Sequence, residues 1–317
     1  MGIRTRLALS AALAVAMTGG AAAATAAAAP ASQAGVVREG ICTAPTAYKA
    51  LAARLSHDIQ ASLAGRDDSH AMTVFDQHRS VRCALNQGLQ FHSASVVKAI
   101  ILASLLRWHQ ETGKPLTANE KYLATLMITQ SDNSAATALW DEVGHTRMQH
   151  FLNLAHMNET VLDPDGYWGL TEITAHDELT LLQTLTAHNS VLSDYSRAYE
   201  LDLMAQVIPS QRWGTPAGAP SGLTVHVKNG WLPDPSLWVI NSIGVFNGYG
   251  RDYMMAVLTA GNPSMAYGVD TIEEVAEVIH RDLNAGLPKA GAPLPPTPAP
   301  AHPTPDEALP PSLPASS

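Results

Sequence analysis

The 317-residue sequence predicts an α+β fold, in which an antiparallel sheet is flanked by terminal helices and faces an all-helical lobe. Three observations predict it. Short apolar segments with strand character fall in two groups, 71–85 and 222–260, far apart in the chain. Between them lies a long block whose apolar residues recur at helical spacing. One further helical pattern precedes the first strand group and another follows the second. Strands from both ends would then join in one sheet, with the middle of the chain forming the lobe.

Arg4 and Arg6, an apolar stretch over 7–17 and alanine-rich residues up to Ala29 have the pattern of a secretory signal, residues 1–29. A short mature segment, 30–44, leads into a domain at 45–285. The tail, 286–317, is rich in proline and alanine and cannot bury a core. A secreted protein without a membrane anchor is expected. In that setting the two cysteines, Cys42 and Cys83, are expected to form one disulfide, two buried thiols being the alternative. The net charge of −9 is spread thinly, with no basic patch, which argues against a nucleic-acid partner.

Within the domain, Tyr48, Leu51, Leu55, Ile59 and Leu63 give 45–64 a helical stripe. Segments 71–75 and 81–85 read as a hairpin joined by DQHRS. In 91–107, FHSASVVKAIILASLLR, Ser93 is a candidate N-cap. The helix after it is apolar nearly all round, so it should be buried, and it is too short to span a bilayer. Thr117 and Glu120 form a capping box for a helix over 117–129. Further helices are expected after Ser131 and over 145–157, 174–188, 191–207 and 269–284. Residues 158–173 lack a period and read as a long, functional loop. Strands are expected at 222–228, 236–246 and 252–260.

Ser95 and Lys98 lie three apart on one helix face. A lysine in a first turn opposes the helix dipole and is costly to bury unpaired. Taken alone, an S-x-x-K pair reads as a surface serine and a snorkelling lysine; in a buried helix those costs suggest a purpose. Desolvation lowers the lysine pKa, and the neutral amine can then take a proton from a neighbouring hydroxyl. The helix start also offers N–H groups to an oxyanion. Ser131, Asp132 and Asn133 sit at a break between helices. There a serine can relay a proton and an asparagine can bond both a lysine and a substrate amide, while Asp132 caps the next helix. Lys228 ends a strand and could bind a carboxylate, and Gly230 permits close backbone approach. The Asn229-Gly230 pair can also be read as a hairpin turn.

S-x-x-K opening a buried helix, S-D-N in an interhelical break and K-x-G closing a sheet strand form a known signature set. With MITQSDNSAATALW, VKNGWLP and INSIGVF, these motifs make residues 45–285 resemble the class A β-lactamase and penicillin-binding serine hydrolase superfamily, most nearly secreted actinobacterial members. The resemblance implies a class A β-lactamase-like fold with the site between sheet and lobe. It makes Ser95 the acylated nucleophile and Lys98 its base. Ser131 would pass a proton to the leaving nitrogen, Asn133 would orient substrate and Lys98, and Lys228 would attract the substrate carboxylate with Asn229 and Gly230 beside it. The N–H groups of Ser95 and Trp231 would form the oxyanion hole. No cofactor or metal is implied. The expected partner is a small β-lactam or peptidoglycan-derived substrate, and the expected state a monomer.

Three departures stand out. The family's loop glutamate has no counterpart: Gly166 falls at its place, leaving Asp163, Asp165 and Glu172 as nearby carboxylates. That glutamate serves deacylation, so slow hydrolysis is expected. Asn229 replaces the usual threonine or serine, an amide still being able to donate to a carboxylate. The segment between Ser95 and Ser131 is short, which predicts a lower cleft wall. A Ser-His-Asp hydrolase lacks its G-x-S-x-G elbow here, His92 reading as a packed or capping residue, and a metallohydrolase lacks H-E-x-x-H. An inactive cell-wall-binding module would have no need of a buried lysine at a helix start.

Overall fold

The structure is a computed structural model that describes residues 35–234 and 237–287; the signal segment and the tail beyond 287 lie outside the described residues. Strands β1 (Val36–Glu39), β2 (Cys42–Pro45), β3 (Ser69–Asp76), β4 (Val81–Leu85), β7 (Thr224–Asp234), β8 (Leu237–Gly248) and β9 (Arg251–Asn262) form one sheet. Its order is β1-β2-β4-β3-β9-β8-β7, antiparallel throughout, so β3 and β9 join the two ends of the chain. Strand alternation on β9 builds two cores. Met255 and Val257 pack with Leu55 and Ile59 of α1 (Lys49–Ser62) and Ile272 and Ile279 of α8 (Met265–Leu283). Met254, Ala256 and Leu258 face the helical lobe.

That lobe comprises α2 (Val97–Thr112), α3 (Ala118–Thr129), α4 (Asn133–Val143), α5 (His145–Ala155), α6 (Ala175–Thr186) and α7 (Asp194–Ala205). Every side chain of α2 from Val97 to Leu106 is buried, as its all-round apolar pattern requires. The Thr117–Glu120 capping box forms, and Thr174 and Asp132 cap α6 and α4.

The structure departs from the sequence reading in four places. β1 and β2 are four-residue, half-exposed strands that carry little local signal. β2 is fixed by its pairing with β4, where Cys42 and Cys83 are partners and are disulfide-bonded. β5 (Gln90–His92) and β6 (Glu172–Thr174) form a small ribbon that ties the long loop to the segment before Ser95. β7 does not end at Lys228. It runs through Asn229 and Gly230, paired with Ser242 and Asn241, so Asn-Gly makes no turn. Finally, Ser93 takes the N-cap position, but its side chain makes no capping hydrogen bond. A 3-10 turn, Ala94–Val96, precedes α2, and the Ser93 hydroxyl donates to the carbonyls of Trp168 and Gly169 instead.

Candidate active site

Ser95 sits in the 3-10 turn between β5 and α2. Ala94 before it has φ +47°, a left-handed conformation that costs a non-glycine residue energy. Neighbours hold it there. Ser93 N–H donates to Thr171 O at 2.8 Å. The Asn241 amide, reaching across from β8, donates to His92 O at 2.9 Å and Ser93 O at 3.2 Å. Gly230 packs against the same turn: a Cβ there would lie 2.7 Å from Ser93 O and 2.9 Å from Ser95 N. Glycine is required because two backbones meet. Ser95 itself remains partly exposed while Ser93, Ala94 and Val96 are buried.

One helical step on, Lys98 is fully buried. Its Nζ donates to Ser131 O at 2.6 Å and Asn133 Oδ1 at 2.7 Å, with Ser131 Oγ at 3.2 Å. Ser131 presents both groups because it adopts φ +58° at the break between α3 and α4. From the other side, Lys228 Nζ donates to Ser131 Oγ at 3.0 Å and to Asn229 O at 2.9 Å. The Ser131 hydroxyl therefore joins two buried amines. Neither amine has a carboxylate at ion-pair distance among the described residues. Burial pushes Lys98 well below the usual lysine range, the Lys228 charge pushes it further, and Asp132 opposes both. Burial brings Lys228 down to about 7. A neutral Lys98 has two N–H groups for its two short bonds and a lone pair left for a proton.

Residues 108–283 match Beta-lactamase2, the beta-lactamase enzyme family. The chain belongs to this family. The match includes Ser131, Asn133 and Lys228, while Ser95 and Lys98 lie ahead of it. A curated relative, "Putative lipoprotein LppW" of Mycobacterium tuberculosis, is 28% identical over 179 residues, 52% of this chain and 54% of its own. The chain thus spans about half the length of the curated relatives it matches. The fold matches that of a class A beta-lactamase from Bacteroides cellulosilyticus (TM-score 0.65, 14% identity, 74% of this chain and 98% of that one). It also matches PBP-A (TM-score 0.61, 21% identity, 72% and 94%).

In this beta-lactamase-family chain, strand parity separates the remaining expected residues. Lys228 and Gly230 face the turn that carries Ser95, so Asn229 and Trp231 face away. Asn229 Nδ2 donates to Gln211 O and Trp213 O, both at 2.9 Å. Its N–H groups are committed to the loop behind the strand and are not offered beside Lys228. The Trp231 ring packs edge-on against Trp213 in the core under α1 and α8. The Trp231 side chain therefore points away from the Ser95 turn, on a strand that forms the edge of the sheet.

The long loop supplies a residue that sequence reasoning missed. Gly166, expected at the glutamate's place, lies near Trp140 Nε1. The side chain that reaches Lys98 is Trp168: Lys98 Nζ stands over its ring, 4.7 Å from the centroid. Trp168 is 1% exposed, and its Nε1 donates to Thr137 Oγ1 at 3.1 Å. Two of the three loop carboxylates are occupied elsewhere, and Asp165 is exposed. Asp163 accepts from the N–H groups of Asp165 and Tyr167. Glu172 lies 3.0 Å from His92 Nδ1 across the β5–β6 ribbon, which gives that histidine its place. Nothing in the loop's spacing marks Trp168. Asn241 was signalled only as a polar residue inside the apolar stretch INSIGVF.

Among the described residues, one cluster could offer metal ligands. Glu159, His176 and Asp177 bring ligating atoms within 4.8 Å of one another. The Asp177 carboxylate, however, already accepts from Glu159 N–H and Thr160 Oγ1 at 2.8 Å, pinning the loop to α6. Loop anchoring accounts for the arrangement.

Proposed function

We propose that this chain is an exported serine hydrolase, acylated on Ser95 by β-lactams or peptidoglycan-derived acyl donors and slow to release the acyl group. The observation that carries the reading is the buried Lys98–Ser131–Lys228 array one helical step from a partly exposed serine. Neutral Lys98 takes the Ser95 proton as Oγ attacks the carbonyl carbon. The N–H groups of Ser95 and Trp231 receive the developing oxyanion. Ser131 passes a proton to the leaving nitrogen, drawing on the two amines it joins. Asn133 keeps Lys98 oriented and is free to meet a substrate amide. Lys228, cationic on the acid side of neutrality, attracts the substrate carboxylate. Family membership and the fold support this assignment. Export is supported by the leader pattern and by the disulfide, which suits an oxidising compartment.

Trp168 over Lys98, with Asp163 and Glu172 tied up, favours a second reading within the same chemistry: a penicillin-binding DD-peptidase or esterase whose natural substrate is not a β-lactam. A fluorescent penicillin followed by intact-protein mass spectrometry and peptide mapping tests the proposal. One adduct on Ser95, absent from Ser95→Ala, is expected. A label elsewhere, or equal labelling of the variant, refutes it. Turnover of D-alanyl peptides or esters against penicillin then ranks the two readings.

A further inference from the structure

We infer that the Trp168 indole is a wall closing the flank of Lys98 to hydrolytic water, so that an acyl group on Ser95 persists. The inference rests on the acylation proposed above. Deacylation by water requires a water oxygen to bond to the acyl carbon. The carbon–Oγ bond breaks, one water proton goes to a base and a proton returns to Ser95 Oγ. Such a water needs room, polar partners that aim it and a base beside it. On one side of Lys98 Nζ, the groups in contact are Ser131 O, Ser131 Oγ and Asn133 Oδ1. Trp168 contributes a ring face at 4.7 Å, almost wholly buried. Its single polar side-chain atom, Nε1, is used on Thr137 Oγ1. This wall therefore offers no acceptor to orient a water and no base to deprotonate it.

The wall is fixed to the nucleophile. Trp168 begins a 3-10 turn, Trp168–Leu170, in which Thr171 N–H donates to Trp168 O at 3.2 Å. The Ser93 hydroxyl donates to that same carbonyl at 3.3 Å, and Ser93 N–H donates to Thr171 O. The indole and the turn that carries Ser95 are thus braced through shared hydrogen bonds. Asp163 and Glu172 are both held away, on the loop backbone and on His92.

The test uses the full chain acylated with benzylpenicillin. Free drug is removed and loss of the adduct is followed by intact mass. Decay measured this way does not depend on how fast each variant was acylated. Trp168→Phe keeps an apolar wall and should release the adduct within about twofold of the wild-type rate. Trp168→Gln supplies a group that can aim a water and should release it about tenfold faster. Trp168→Glu adds a base and should gain about 10²- to 10⁴-fold, the usual worth of general-base help. Asp163→Asn, Asp165→Asn and Glu172→Gln should leave release unchanged. Wild-type release rates in both Trp168→Gln and Trp168→Glu, with thermal unfolding showing them folded, overturn the inference. So does rapid wild-type release that collapses in Glu172→Gln or either aspartate variant. Failure of the wild type to form any Ser95 adduct sinks the acylation reading itself and is seen before a Trp168 variant is made.

Discussion

On the proposed mechanism, acylation by a carboxylate-bearing substrate should fall as pH rises through neutrality, because Lys228 loses its charge there. Burial lowers its pKa from 10.5 to about 7. Half of the amine is then cationic at pH 7, about a tenth at pH 8 and about a hundredth at pH 9. A hydrogen bond to a charged group is worth about 1.5 to 3 kcal/mol, or roughly 10- to 150-fold. Second-order acylation by benzylpenicillin should therefore drop by about one to two orders of magnitude between pH 6.5 and 9. On the acid side the rate should rise as Lys98 loses its proton. Burial and then the charge of Lys228 hold Lys98 well below the usual lysine range, and the two amines titrate as a coupled pair. Stopped-flow quenching of a fluorescent penicillin across this range measures both limbs. An uncharged ester donor should lack most of the alkaline fall. Lys228→Arg, whose guanidinium stays charged, should abolish it. A flat alkaline limb with penicillin, an equal fall with the neutral ester, or an unchanged midpoint in Lys228→Arg would refute the reasoning.

His280, buried between Tyr253 and Thr215, is held neutral, its pKa lowered to about 4 by desolvation. The unfolded chain takes up that proton first, so this histidine removes about 3 kcal/mol of stability as pH falls from 6.5 towards 4. Urea unfolding at both ends of that window should show the loss, and His280→Gln should lessen it; parallel slopes count against it. Buried Glu178 and Glu200, with pKa values raised well above normal, act in the opposite sense, so the variant comparison is essential. Gly230→Ala places a methyl 2.7 Å from Ser93 O and should slow adduct formation by about 10²-fold, the scale expected for a slight misplacement of the nucleophile. Time courses of labelling decide it, and an unchanged rate would show that the turn tolerates displacement. The Cys42–Cys83 disulfide closes a loop with a sequence separation of 41. Its loss in Cys42→Ser/Cys83→Ser should cost about 4 kcal/mol in chemical denaturation by the chain-entropy relation; a cost near zero would mean that β2 contributes little to the cooperative unit.

The local chemistry of this site is readable along the chain. Ser95 and Lys98 share a face because a helical turn has that period, and an apolar run from Val96 to Leu106 with few interruptions forces their helix into the interior. Capping residues at Thr117, Asp132 and Thr174 act within three positions and were equally visible. The sheet's two halves followed from strand segments at both ends, although no local pattern named the partners that join β3 to β9. Asn229 lay between these cases. Alternation alone turns it away from Lys228 once the strand continues, but continuation was decided by pairing with β8, which overrode the Asn-Gly turn preference. Only the tertiary structure placed Trp168 on Lys98, 70 positions apart, or brought the Asn241 amide under Ser93, 148 positions away. The β5–β6 ribbon holds the loop beside the Ser95 turn in the same way. Periodicity and capping are near-neighbour effects of one backbone, whereas these contacts depend on how separate elements pack, and no short stretch of sequence carries that information.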